Sequence, residues 1–347
     1  MNVLSIGILA HNEAAIIART IASLAGQSIL DPARAAALGL GQIEIVVVPN
    51  GCSDDTAGVA AAALAAFPAH VSVAVRELAQ GGKSNAWNRF VHDLARPDAT
   101  LIALMDADIE FGSADVLERL VERLHADPVA QVSTDRPVKD YRHKTRLSPA
   151  RPAVAARLGA EGGAARAVRA IVLRARRGAA PHLAARGPAG RGRLPRGDAA
   201  DRRLHPASPT KAPSPPVDVH HFYEPLEGVD AFVRHEARII VGSVINAWLY
   251  TLLWEAGKRG HAGAFVRQRN DQDPDWVEGV CQQARDREGR WLVPRSFVLG
   301  RLAPLGGQPL GRVVRRAPIA VAATLATLPA VLRANAILRR PAARLLW

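Results

Sequence analysis

The chain has 347 residues, 48% of them hydrophobic, with a formal net charge of +13 and a pI near 10.9. This length and apolar content allow one large domain or two small ones with a sizeable core, and exclude a stapled mini-protein or a mainly disordered chain. Cys52 and Cys281 are the only cysteines, too few for a disulfide framework, so a reducing compartment is expected. The opening MNVLSIGILAHNEAA has no basic stretch ahead of its apolar run and reads as a first strand, not a signal peptide.

Up to about residue 146 the chain reads as alternating strands and helices. Val3–Leu9 is a buried strand, and Ala14–Leu24 a helix after the turn His11-Asn12-Glu13. Ile43–Val48 is a second strand, apolar except for Glu44; Asn50-Gly51 turns the chain, and Ser53 or Asp54 caps an Ala-rich helix ending near Ala65. Val71–Val75 is a third strand, Gly81-Gly82 a loop, and Lys83–Leu94 a helix. Thr100–Met105 is a fourth strand, ending in Asp106-Ala107-Asp108; Ala114–Ala126 is helical, and Ala130–Ser133 a short strand. This order predicts a mostly parallel sheet with helices on both faces, and ligands of such sheets bind beyond the carboxyl ends of the strands. The polar clusters after Leu9, Val48 and Met105 all fall there.

The basic charge calls for a separate explanation. Between Arg151 and Thr210 stand 13 arginines and three acids, Glu161, Asp198 and Asp201, so this block carries +10 and the other 287 residues only +3. Of its 60 residues, 44 are Ala, Arg, Gly or Pro and none is aromatic, so neither the strand nor the helix period persists. One reading is a disordered basic linker. The other is a G/C-rich gene read out of frame, because these four residues have codons that begin with two G/C bases. Re-reading Ala189–Pro206 one base downstream permits the string Pro-Val-Glu-Asp-Gly-Phe-Leu-Gly-Ala-Met, a Glu-Asp pair before an apolar helix start. The same shift over Ile171–Gly190 restores a strand and a helix. A nucleic-acid binder needs aromatics or a folded basic face, and this block has no Phe, Tyr or Trp.

Sense returns near Val217. Val217–Tyr223 is expected to be a strand, and Asp230 to cap a long helix running to about Ala256. Ile239–Trp254 and Ala317–Leu332 are uncharged runs near 16 residues, short for a bilayer span. They read either as core helices or as a pair of interfacial helices with basic flanks on lipid headgroups.

At Asp106-Ala107-Asp108 the pattern becomes specific. Two carboxylates one residue apart at a strand end can share Mg²⁺ or Mn²⁺ and a diphosphate. Together with SIGILAHNEAA, VVVPNGCSDDTAGVA and GGKSNAWN, in that order over about 110 residues, this motif resembles family 2 glycosyltransferases of the GT-A fold. The resemblance covers roughly 1–146 and, more weakly, 217–260. It implies an α/β chain with a Rossmann-like, mostly parallel GT-A sheet and a C-terminal helical region. It divides the chain into a nucleotide-sugar-binding half at 1–146, the anomalous segment at 150–210 and a C-terminal part at 217–347.

The resemblance further implies that Asn12 and Glu13 line a nucleotide pocket and that Asn50 reads base or ribose. Lys83 would sit near the diphosphate, Asp106 would face ribose or metal, and Asp108 would bind the metal. His221, or its neighbour His220, would complete the metal shell. As structural alternatives, Glu13 and Asp54 could cap helices, Lys83 could be a solvated charge, and the two histidines could be structural. Where the family usually has an acidic pair before the glycine, this chain has Pro49-Asn50. The catalytic base expected of inverting members falls within 150–210 and is present only in the shifted reading; otherwise Glu224 and Asp230 are the places to look. The implied activity is transfer of a sugar from a nucleoside-diphosphate sugar to an acceptor hydroxyl, glycan or lipid-linked, with a divalent metal. The implied place is the cytoplasm, with peripheral contact on the inner face of the plasma membrane and no nucleic-acid partner. An inactive nucleotide-sugar binder is the alternative. A sugar-phosphate nucleotidyltransferase is disfavoured because HNEAA stands where a G-x-G-T-R loop would follow strand one.

Overall fold

The computed structural model describes residues 1–127, 130, 132–140, 170–174, 218–223, 228–259, 262–273, 275–300 and 302–340. The first four long strands are β1 (Asn2–Ala10), β2 (Leu40–Pro49), β3 (Val71–Val75) and β4 (Leu101–Asp106). They pair in the order β3-β2-β1-β4, all parallel, with Leu9 level with both Val48 and Asp106. Central parallel strands are covered on both faces, which is why β1, β2 and β4 read as near-continuous apolar runs. The expected α/β class is therefore found.

The period of two sorts these strands into two cores. Leu4, Ile6 and Ile8 of β1 and Ile45 and Val47 of β2 face α1 (Ile17–Ala25), α3 (Thr56–Leu64) and α5 (Val116–Ala126). Val46 and Val48 of β2 and Ile102 and Leu104 of β4 face the other way, onto α4 (Lys83–Arg89) and the π-helical turn Phe90–Leu94. Gly7 makes that second face possible, because a Cβ there would lie 2.6 Å from the fully buried Phe90 ring. A short helix, α2 (Pro32–Ala37), with Asp31 as its cap, leads into β2. Glu44, the one charge in β2, accepts from the Ser5 hydroxyl at 2.6 Å and the Arg96 N–H at 3.0 Å.

Five shorter strands complete the sheets: β5 (Ile109–Phe111), β6 (Val132–Thr134), β7 (Arg136–Lys139), β8 (Ala170–Arg174) and β9 (His220–Tyr223). β8 runs antiparallel beside β4 and β6 beside β8, extending the main sheet, while β5, β9 and β7 form a second, three-stranded sheet. β8 corrects the expectation that no element persists within 150–210. Ile171-Val172-Leu173 is a short β-favouring run, and the edge of β4 offers it a row of backbone partners. The rest of that segment, with the base expected in it, lies outside the described residues, as does Glu224.

The C-terminal helical region comprises α6 (Gly228–Arg259), α7 (Ala262–Gln272), α8 (Trp276–Glu288), α9 (Arg295–Leu299) and α10 (Leu310–Leu338). Ala237, Ile240, Val244, Ile245 and Leu249 of α6, with Ala330, Val331 and Ala334 of α10, join the core on the β2–β4 face. Two expected caps move. α3 is capped by Asp55, whose carboxylate accepts from the Gly58 N–H at 3.2 Å, rather than by Ser53 or Asp54. α6 starts at Gly228, so Asp230 lies inside its first turn and pairs with Arg234 instead of capping.

Candidate functional site

Three turns leave the carboxyl ends of β1, β2 and β4 at one edge of the sheet, and a fourth, Gly81-Gly82, comes in beside them. Hydrogen bonds tie each to the next. After β1, Asn12 takes a left-handed backbone (φ 55°), and its Oδ1 accepts from the Ser53 N–H at 2.7 Å. The Glu13 N–H donates to Thr56 Oγ1 at 2.9 Å and the Ala14 N–H to Asp54 Oδ2 at 3.1 Å. The turn after β1 is thus closed by the turn after β2. Asp54 is held below the usual carboxylate range, chiefly by the Thr56 hydroxyl that donates to it. Its structural duty is to join the two turns.

Asn50 lies beneath this edge. It is 2% exposed; its Nδ2 donates to the Ala10 carbonyl at 2.5 Å, and its Oδ1 accepts from the Gly82 N–H at 3.0 Å. Both ends of the amide are spent on backbone, so Asn50 fixes the Gly81-Gly82 loop against β1. Gly51 beside it needs to be glycine: its φ is +58°, and a Cβ would sit 2.6 Å from the Gly81 Cα. His11 Nδ1 lies 2.7 Å from the Asn50 carbonyl, a contact between residues 39 apart with no local signature.

The loop so fixed delivers Lys83, the first residue of α4, whose ammonium pairs with Asp106 at the end of β4. Both side chains are partly exposed, 25% and 14%. Asp108 follows after Ala107, whose carbonyl accepts from the buried Thr20 hydroxyl at 2.8 Å. Thr20 thereby anchors the β4–β5 turn to α1. The edge therefore brings together Asn12, Glu13, Lys83, Asp106 and Asp108, with Asn50 as their support.

His221 arrives differently. It sits on β9, opposite Phe111 of β5 and Pro137 of β7. Its side chain is fully buried, with Nδ1 2.7 Å from Asp135 Oδ2, and the Asp135 side chain is fully buried too. Among the described residues, His221 Nε2 and Asp135 Oδ1 have no hydrogen-bond partner. His220 points to the other face, edge-on to Phe222, and fills the space that a side chain at Gly112 would need. Asp135 was not identifiable from the sequence, since it is 86 residues from its partner.

Among the described residues no three His, Cys, Asp or Glu side chains are gathered as a metal site, so the structure does not bring His221 together with Asp106 and Asp108. As donors, the two carboxylates fit a hard divalent cation that fills its shell from diphosphate and water, as Mg²⁺ and Mn²⁺ do. The orphaned Nε2 of His221 is a buried nitrogen suited to the same ions.

Residues 5–166 match the family model described as Glycosyl transferase family 2. No curated protein matches the chain. Among solved structures, similarity is found to the mannosyltransferase PcManGT from Pyrobaculum calidifontis, solved with GDP-Man and Mn²⁺. It is 17% identical with a TM-score of 0.46, over 94% of this chain and 86% of that one. Glucosyl-3-phosphoglycerate synthase from Mycobacterium tuberculosis, with Mn²⁺ and UDP, is 20% identical with a TM-score of 0.33, over 50% of this chain and 57% of that one. S. aureus TarS is 18% identical with a TM-score of 0.32, over 43% of this chain and 23% of that one. The chain thus spans less than two thirds of the last two.

Proposed function

For a chain whose residues 5–166 match the family 2 glycosyltransferase model, we propose transfer of a sugar from a nucleoside-diphosphate sugar to an acceptor hydroxyl, with inversion at the anomeric carbon. The observation that carries this reading is the Lys83–Asp106 pair beside Asp108, on turns locked to one another at the carboxyl edge of a parallel sheet. Asn12 and Glu13 bound the nucleotide side. Lys83 exchanges its carboxylate for the diphosphate, an anion its ammonium suits as a point charge. Asp106 and Asp108 would hold Mg²⁺ or Mn²⁺, and His221 through Nε2 is the third candidate ligand. When bound, such an ion stabilises negative charge on the departing diphosphate. The acceptor hydroxyl, on a glycan or a lipid-linked sugar, attacks from the opposite side as a carboxylate takes its proton.

Calorimetric titration of the full chain with UDP and with GDP, each with Mn²⁺, tests the donor side. Binding that depends on Mn²⁺ and weakens at least tenfold in Asp108→Ala is expected; equal binding by the variant would remove Asp108 from the metal role.

A second reading, a nucleotide-sugar binder without transfer, is favoured by the composition of 151–210, where the base is expected. Ala170–Arg174 pairs with β4 in the printed reading frame, which favours a frame change, if there is one, after Arg174. The nucleotide sequence between the codons for Leu147 and Val217 decides this: compensating insertions or deletions support the shifted reading, and their absence makes the segment a natural linker.

A further inference from the structure

The two uncharged C-terminal runs differ in surroundings. In α6, Ala237, Ile240, Val241, Val244, Ile245, Leu249 and Leu253 are buried, so Ile239–Trp254 is largely a core helix. In α10 only Ala323, Thr327, Ala330, Val331, Ala334, Asn335 and Leu338 are buried. Its outer face bears Leu310, Val314, Val321, Leu325 and Leu332, between 46% and 79% exposed. Their spacing alternates four and seven residues, which sets them in one stripe along the helix. Arg315 and Arg333 lie on one flank, roughly 100° round the axis from the stripe, with Arg333 3.9 Å from Asp230.

Charge along the sequence sharpens the picture. From Gly289 to Trp347 there are ten arginines and no Lys, Asp or Glu. The charge outside 151–210 is therefore not spread evenly: this stretch alone carries +10, and the acids that mask it lie elsewhere.

We propose that the outer stripe of α10 docks the chain on an anionic phospholipid surface, with the helix lying in the boundary between headgroups and acyl chains. Apolar side chains along one stripe with arginines on its flank are what that boundary selects. The stripe is too exposed and too continuous to be ordinary monomer surface. Spanning is disfavoured because Ala317–Leu332, the uncharged part of α10, is about 24 Å long against a hydrocarbon core of about 30 Å. The inner face is also committed to protein, with Asn335 bonding Leu292 N at 2.7 Å and the Arg290 carbonyl at 3.1 Å. A second copy of the chain is disfavoured because Pro318 and Pro329 interrupt a coiled-coil seam. The docking rests on none of the donor chemistry.

The test is co-sedimentation of the full chain with vesicles of phosphatidylcholine alone and with about a third phosphatidylglycerol, over a salt series. Binding should require the anionic lipid and fall with salt. Leu325→Asp, which removes one well-exposed leucine, should weaken it about tenfold or more. Arg315→Gln should weaken it about fivefold at low salt, while Arg119→Gln, an exposed arginine elsewhere, should leave it unchanged. Circular dichroism and urea unfolding of each variant should match wild type, since every changed side chain is exposed. Equal binding to neutral vesicles, or no effect of Leu325→Asp, overturns the proposal. So does retention in carbonate-washed membranes, which would mean spanning. A dimer in sedimentation that Leu325→Asp dissolves, without vesicle binding, would assign the face to a second copy.

Discussion

The buried pair between Asp135 and His221 offers the sharpest test of the structure itself. Both side chains are wholly inaccessible, and among the described residues the 2.7 Å contact is the imidazole's one hydrogen bond. Asp135→Ala leaves Nδ1 buried and unpaired, which costs about 1–3 kcal/mol for a neutral donor, and breaking a fully charged buried pair costs about 3–5 kcal/mol. Against this, Asp135 Oδ1 is already unpartnered, so deleting the carboxylate relieves part of its own burial penalty. The expected net loss is about 2–3 kcal/mol. Asp135→Asn keeps the shape and an acceptor for Nδ1, loses only the charge assistance, and should cost about 1 kcal/mol. Arg119→Ala, which breaks the exposed pair with Asp115, should stay within about 0.5 kcal/mol of wild type. Urea unfolding of the full chain measures all three, provided the slope is unchanged. An Asp135→Ala loss below about 1 kcal/mol, or an Asn variant as weak as the Ala variant, would refute the reasoning.

Two further outcomes follow from the same kind of accounting. Asn50→Ala strands the Ala10 carbonyl and the Gly82 N–H and should cost about 1–3 kcal/mol, and Asn50→Asp should cost at least as much by setting an oxygen against that carbonyl; a variant as stable as wild type in urea would remove Asn50 from its bracing role. Burial, with Glu278 adding and Arg285 opposing, pushes the Cys281 thiol up to about 11. At pH 8 a disulfide reagent should therefore label the half-exposed Cys52 but not Cys281 until urea is added. Because this folded-state value exceeds the ordinary 9.0, the thiol's contribution to stability is intact below pH 9 and is lost as pH rises from 9 towards 11. Native labelling of both cysteines at equal rates would contradict this.

What the sequence disclosed was what lies close along it. β3 is found at the residues expected, and β1, β2 and β4 within a few, because a strand buried on both faces leaves an uninterrupted apolar run. The strand-end turns were legible for the same reason: their polar residues stand out against those runs. β5 and β7 have three or four residues each and no period to read, whereas β9 falls within the strand expected at Val217–Tyr223; the three form a sheet because Phe111 meets His221 and His221 meets Pro137. The Asp135–His221 pair is a product of that meeting and has no local signature. Asn50 looked like a ligand-facing polar residue, yet two backbone groups separated along the chain claim it. The arginines after Gly289 were hidden by totalling charge over a stretch that includes the acids of the first half.

The two sides of the proposed site differ in how much of the chain they need. Every tie that shapes the nucleotide edge, from Asn12–Ser53 to Asn50–Gly82 and Lys83–Asp106, lies between β1 and the end of β4. His221 reaches its place only after the chain has left β7 at Lys139 and returned at His220. β9 is then held between β5 and β7, so one strand from beyond the anomalous segment completes a sheet begun before it. Alterations between β8 and β9 therefore act on the position of His221, whereas alterations in β8, which pairs Ala170 with Met105, also reach Asp106. On the proposed assignment, nucleotide affinity without metal is a property of the first half of the chain. The gain in affinity on adding Mn²⁺ rests on Asp106 and Asp108 of that same half, and on the intervening segment only as far as His221 joins them.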